Sequence, residues 1–487
     1  MTKGAVELAF ETPYRQLLAR AIRVPPLRKG LFFTLDWALR KHYRGNQDNR
    51  PLKVQDDKSV MVSALLHSLE KGLSEGRLSP HVFLKGLHSF SNYYTKRPGK
   101  RTHFNEHFGV EPPGFLTLSP NGSCNLSCSG CYANSSDRTR NKLDYGTISR
   151  VLREQKQFWG SHFTVISGGE PLLWRSDGKS ILDLAYEHKN TYFLVYTNGT
   201  MISHSVARTL ARLGNVSPAI SVEGFEQETD ARRGKGVFKR VLQAFQNLRN
   251  ARVPFGISVT ATRYNAELIM SEDFLDYYLN KEGAFYCWVF QYMPIGRAAN
   301  LDSVVTPEQR LSLYKKTWMF IREKKMFIAD FWNCGTTSNG CISAGLPGGY
   351  LYIDWNGNVM PCVFNPFYVD NIHEVYARGG TINDVLFSRF FGGIRDWQNR
   401  YAYTEPAHQM GNILAPCPIR DHFRVMQELV SNSGARASEE QAGQPMLEDN
   451  DFKEGLVAYG TRVTELTSDI WQRGYLEPER QRNIHNQ

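Results

Sequence analysis

The chain has 487 residues, 41% hydrophobic and 22% charged, a composition that excludes a disordered chain and a length that allows roughly three domains. Eight cysteines are too few for a disulfide-dense secreted scaffold, and the longest apolar runs, such as "AFYCWVF", are too short to span a bilayer. The net charge is +10, and residues 1–110 hold 19 Lys and Arg against 9 Asp and Glu, so the whole positive excess lies in the N-terminal region.

That region reads as helical. Thr12-Pro13 is expected to open a helix running to about Val24, where Pro25-Pro26 stops it. The next stretch, "LRKGLFFTLDWALRKHYRG", joins Leu31, Phe32, Leu35, Trp37, Ala38 and Leu39 to Arg28, Lys29, Arg40, Lys41 and Arg44. A basic amphipathic helix of this kind suits an anionic membrane surface, or else packs on the next domain with its cations in water.

From about residue 111 strands alternate with helices. Strands are expected at Phe115–Leu118, Phe163–Ser167, Tyr192–Thr197, Ala219–Val222, Gly256–Thr260 and Tyr286–Met293. Amphipathic stretches at Ile148–Trp159, Ile181–Lys189, Ser203–Leu213, Val237–Arg249 and Ser271–Lys281 separate them. The alternation predicts an α/β fold whose parallel sheet has right-handed crossovers. Six repeats fall short of a closed barrel, so a partial (β/α)6 barrel over residues 111–300 is expected. "TPEQ" at Thr306–Gln309 is a capping box opening a helix to about Lys325. "YLYIDWNGNVMPC" is a hairpin turning at Asn356-Gly357. Residues 301–430 are expected to form a small C-terminal domain. Residues 431–487 are expected to hold a linker and a last helix, about Phe452–Trp471.

After the first strand comes "SPNGSCNLSCSGCYANSSD", with Cys124, Cys128 and Cys131 inside eight positions. Thiolates at this density bind a soft metal. A structural zinc site wants four ligands, whereas a [4Fe–4S] cluster held by three leaves one iron open to a substrate. This CxxxCxxC run resembles the signature of the radical S-adenosylmethionine (radical SAM) superfamily. The resemblance implies a cluster-bound SAM that is cleaved by one electron to a 5′-deoxyadenosyl radical, which takes a hydrogen atom from substrate. The aromatic residue common before the third cysteine is absent here, where Gly130 stands, so Tyr132 is the candidate for the adenine contact.

Other segments agree with the resemblance. "ISGGEP" is similar to the family's GGE motif, in which Gly168, Gly169 and Glu170 would hold the SAM amine. Asn198 in "TNGT" ends the third strand. "SVEGFEQETDARRGKGVF" looks like the family's S-[LV]-D-G…D-x-x-R-G-x-G-x-F segment, with Glu223 in place of Asp. That resemblance puts Ser221 and Arg233 near the SAM ribose and carboxylate. Arg297 in "YMPIGR" is read as meeting an anion or forming a structural salt bridge, and Cys287 as a buried core thiol.

Four cysteines remain, Cys334, Cys341, Cys362 and Cys417, with the Asn-Gly hairpin between the middle two. They resemble the SPASM and twitch extensions of radical SAM enzymes, the shorter twitch form fitting better. The resemblance implies one auxiliary [4Fe–4S] cluster on Cys341, Cys362 and Cys417, with Cys334 as fourth ligand. A single zinc on the same thiolates stays open.

The expected activity is a radical SAM oxidoreductase, reduced by a partner such as flavodoxin or ferredoxin. From the basic N-terminus, a lipid or isoprenoid at the membrane surface is the expected substrate. The alternative is maturation of a ribosomally made peptide, and a further one is a non-catalytic iron–sulfur or zinc protein. No nucleic acid is expected. The expected location is the cytoplasm, with peripheral contact at the membrane.

Overall fold

A computed structural model describes residues 18–486 apart from 47, 96, 439 and 440. The helix expected from Thr12-Pro13 lies mostly outside the described residues. Pro25 and Pro26 occupy the first turn of helix α1 (Pro25–Arg44), where a missing N–H is harmless. Helix α1 buries only Arg28 and Phe32 and packs on α2 (Leu52–Ser74), with Arg28 paired to Glu70 at 2.9 Å. In turn, α2 docks on the following domain. Its Ser68 hydroxyl donates to the Phe285 carbonyl, and its buried Asp57 meets Arg322 and the Tyr475 hydroxyl.

The six expected strands are all present: β1 (Phe115–Leu118), β2 (Phe163–Ile166), β3 (Tyr192–Thr197), β4 (Val216–Val222), β5 (Gly256–Ala261) and β6 (Cys287–Gln291). They pair in parallel, in chain order. The sheet continues past both expected edges. A seventh strand, β7 (Ile328–Asp330), adds in parallel to β6. On the other side β8 (Tyr350–Ile353), the first arm of the hairpin, pairs in parallel with β1. Then β9 (Asn358–Met360) and β10 (Asp370–Asn371) complete a ten-stranded sheet ordered β10-β9-β8-β1-β2-β3-β4-β5-β6-β7. The second cysteine region therefore grows from the barrel sheet itself.

Helices form where the apolar period demands. In Tyr145–Phe158 the residues Ile148, Val151 and Leu152 are buried, and Asp144 caps the helix by accepting from Thr147 N–H. Burial of side chains of this size contributes about 1.5–3 kcal/mol each. Thr306 and Gln309 form the expected box at the start of Pro307–Lys324. Part of the stretch from 431 to 444, read as a linker or exposed loop, packs instead. Arg436–Ala437 pairs with Phe367–Tyr368, and Gln441 is fully buried with its carbonyl accepting from Gly296 N–H. Among the described residues, no helix is long and apolar enough to cross a membrane.

Candidate active site

Every motif singled out in the barrel falls at the C-terminal end of a strand, the end where such barrels place their chemistry. The cysteine loop after β1 is held from three sides. Arg297 Nη1 donates to the Cys128 carbonyl at 2.7 Å, a second nitrogen of the same guanidinium reaches Ser135 O, and its backbone N–H donates to Cys131 O. Arg232 donates to the carbonyls of Ser129 and Gly130. Arg297 is thus a clamp on the loop carbonyls, and neither of its expected partners is what it meets. Gly296 makes this approach possible: at φ +73° it lies so near that a Cβ there would be 2.2 Å from Cys131 O.

The glycines after β2 serve the same end. A Cβ at Gly169 would lie 2.1 Å from Ser123 O, and Gly169 N–H donates to Asn121 O. The close approach is to the cysteine loop's own backbone. Tyr132 pins the same corner, with its hydroxyl 2.6 Å from Ser167 Oγ and accepting from Gly168 N–H. Burial raises the Tyr132 phenol to about 12, so it stays neutral. The ring of Tyr292 lies 3.0 Å from where a side chain at Gly130 would start, filling the space left by the missing aromatic residue.

Glu170 is engaged by donors of the protein itself. It is fully buried, and its Oε1 accepts from Thr197 Oγ1 at 2.7 Å and Leu172 N–H, while Oε2 accepts from Asn198 N–H at 2.8 Å. Burial raises its carboxyl, against those hydrogen bonds. The carboxylate ties the end of β2 to the end of β3, one layer behind the cavity wall. Asn198, in contrast, reaches the chemistry: its side-chain amide lies 3.7 Å from the Cys124 sulfur. Arg233 is held by buried Glu223, with Arg233 Nε donating to Oε1 at 2.9 Å. Burial opposes the guanidinium's charge, but buried Glu223 outweighs it and holds Arg233 firmly protonated. Asp230 accepts from Gly236 and Phe238 N–H, which fixes the turn carrying Arg233.

A cavity of about 570 Å³ joins this region to the second cysteine set. Cys124, Cys128, Cys131, Cys334, Cys341, Cys362 and Cys417 all line it, as do Tyr132, Gly168, Gly169, Asn198, Ser221 and Arg233. Cys287 does not, and is fully buried on β6. Met61 of α2 also reaches the wall, a contribution that no sequence pattern indicated.

The residues fit iron–sulfur groups at both ends. Burial pushes the thiols of Cys124 and Cys362 up to about 12 and raises Cys128, Cys334, Cys341 and Cys417, so loading must release protons. Cys341 and Cys362 both raise the Cys417 thiol and Cys341 raises that of Cys362, whereas Cys334 responds to Asp330 instead. Beside them the buried Trp332 indole N–H faces Cys417 and the buried Tyr350 hydroxyl faces Cys362, both donors suited to anionic sulfur. Among the described residues, no three His, Cys, Asp or Glu side chains converge tightly enough for a single metal ion. The Cys417 loop is braced by Asp421, which accepts from Cys417 N–H at 3.0 Å and forms a buried pair with Arg310.

Residues 118–269 match the family model of the radical SAM superfamily. The chain carries a radical SAM domain. It is a radical SAM enzyme and works with a [4Fe–4S] cluster and S-adenosylmethionine. It is 29% identical to the mycofactocin maturase MftC of Mycolicibacterium smegmatis, over 61% of this chain and 73% of that protein. It is 30% identical to the sporulation killing factor maturation protein SkfB of Bacillus subtilis, over 54% and 63%. An AdoMet-dependent heme synthase of Methanosarcina barkeri is 26% identical, over 54% and 80%.

Proposed function

We propose that this radical SAM enzyme matures a peptide, with Cys124, Cys128 and Cys131 holding the SAM-binding cluster and Cys341, Cys362 and Cys417 the auxiliary one. The observation that carries the reading is the single cavity with both cysteine sets on its wall. When bound, the cluster and SAM supply the one-electron chemistry that removes a hydrogen atom from a nearby substrate. The chain's own residues do the rest. Arg297 and Arg232 hold the cysteine loop, Asn198 donates toward the Cys124 sulfur, and Arg233 offers a fixed cation to the SAM carboxylate. Tyr132, Ser221, Gly168 and Gly169 border the same space, and Glu170 positions Asn198 from behind. Cys334 is kept as the fourth auxiliary ligand on its place in the cavity.

The lipid or isoprenoid substrate expected from the basic N-terminus gives way to the peptide, because two of the relatives carry maturation in their names. The test is 5′-deoxyadenosine release by anaerobically reconstituted enzyme with dithionite and SAM. A soluble peptide fraction of the host should raise it, and a lipid extract should not. Stimulation by lipid alone would overturn the peptide reading.

A second observation favours peripheral membrane contact as the place of action. Leu27, Phe33 and Trp37 are 57%, 73% and 56% exposed along the outer side of α1, and Val24 just before it is 43% exposed. Lys29, Lys41 and Arg44 are exposed with them. Bulky apolar groups among cations are what an anionic bilayer surface holds.

A further inference from the structure

Gln291 ends β6 and Asp330 ends the adjacent strand β7, and both line the cavity between the two cysteine sets. Asp330 is fully buried and accepts from Trp332 N–H and Asn333 N–H, each at 3.1 Å, and from the Asn333 side-chain amide at 2.8 Å. Three protein N–H groups already donate to its two oxygens, and this geometry orients the Gln291 amide. Its Nε2 must face Asp330, 3.1 Å from both oxygens. The carbonyl Oε1 of Gln291 is then left over, on a side chain 1% exposed, with no protein donor. A buried acceptor of that kind is unfavourable until something in the cavity donates to it.

The surroundings define the donor's shape. Phe290, Phe331 and Phe364 form a triangle with each pair of ring centroids 5.6 Å apart, and all three line the cavity. Phe364 also touches Tyr132 beside the first cysteine set and Trp332 beside the second, at 6.3 and 4.8 Å between centroids. The triangle therefore spans the gap between the two ends. Ring faces and edges of this kind take flat apolar groups.

We propose that the substrate group held between the cysteine sets is a flat apolar ring bearing an N–H or O–H, which donates to Gln291 Oε1 while the ring rests on Phe290, Phe331 and Phe364. Gln291 is then a specificity-determining residue. A site built around such an acceptor rejects the analogue that lacks the donor, because the acceptor is left buried and unpaired. The assignment rests on the cavity being the substrate site of the enzyme proposed above.

The test uses anaerobically reconstituted holoenzyme with SAM and no reductant, and two probes of one shape, indole and benzothiophene, the second lacking N–H. Affinities are read by ligand-observed NMR. Wild-type enzyme should bind indole about tenfold more tightly than benzothiophene. In Gln291→Met the preference should vanish while benzothiophene binds within about twofold of its wild-type affinity. Equal binding of the two probes by wild type, which needs no variant to fold, would overturn the proposal. So would an indole preference that survives in Gln291→Met. The assay contains no peptide. If peptides fail to raise 5′-deoxyadenosine release and the indole preference stands, only the peptide reading falls.

Discussion

Glu170 accepts a hydrogen bond from the backbone N–H of Asn198 at 2.8 Å, and so joins the GGE segment to the loop whose side chain reaches the Cys124 sulfur. In Glu170→Gln one face of the amide would turn an N–H toward a donor, leaving a buried N–H unpaired. The apoprotein should lose about 1–3 kcal/mol, seen as a lower denaturant midpoint without any SAM present. Unchanged apoprotein stability with loss of SAM affinity would instead put this carboxylate on the ligand.

Arg297 holds two carbonyls of the cysteine loop through one guanidinium. Arg297→Ala should keep the far-ultraviolet circular dichroism of the wild type but retain much less iron after reconstitution. Arg297→Lys should restore little, since a point charge cannot bridge both oxygens. Full iron content in both variants would show the loop to be set by its backbone alone.

Asp421 and Arg310 form a buried pair under the Cys417 loop. Asp421→Ala leaves Arg310 uncompensated and should cost about 3–5 kcal/mol in thermal or denaturant unfolding. Burial works to raise the Asp421 carboxyl, but Arg310 outweighs it and holds the group below its ordinary value. Because the folded value is the lower one, this stabilisation is complete above the unfolded value of about 4 and disappears as the pH falls through the folded value. A stability difference between wild type and Asp421→Ala that did not shrink in acid would contradict this.

The exposed face of α1 makes a separate prediction. Phe33→Glu with Trp37→Glu should abolish sedimentation with vesicles containing phosphatidylglycerol. Removing Lys41 or Arg44 should weaken it by about 1 kcal/mol each at low salt. Vesicle binding equal to wild type in the double variant would remove the membrane contact.

The features legible in the sequence are local ones. Cys124, Cys128 and Cys131 sit within one loop, ISGGEP within one strand end, and the Thr306–Gln309 box within one helical turn. The six barrel strands followed from their apolar runs. What escaped depends on contacts distant in sequence. The clamp from Arg297 to Cys128 spans 169 positions, and the Met61 wall belongs to a helix before the barrel begins. Strand β7 is short, and β8, expected only as a hairpin arm, pairs with β1 far back along the chain, so no periodicity placed either in the barrel sheet. At Glu170 the sequence shows an acidic side chain suited to an ammonium ion, but the three protein donors that meet it come from packing alone.

The most direct measurement is 5′-deoxyadenosine formation by reconstituted wild type, Cys128→Ala and Cys417→Ala, each with iron content determined, under dithionite and SAM. The account predicts formation by wild type, none by Cys128→Ala, and continued SAM cleavage with reduced iron in Cys417→Ala. Undiminished formation by Cys128→Ala would contradict it.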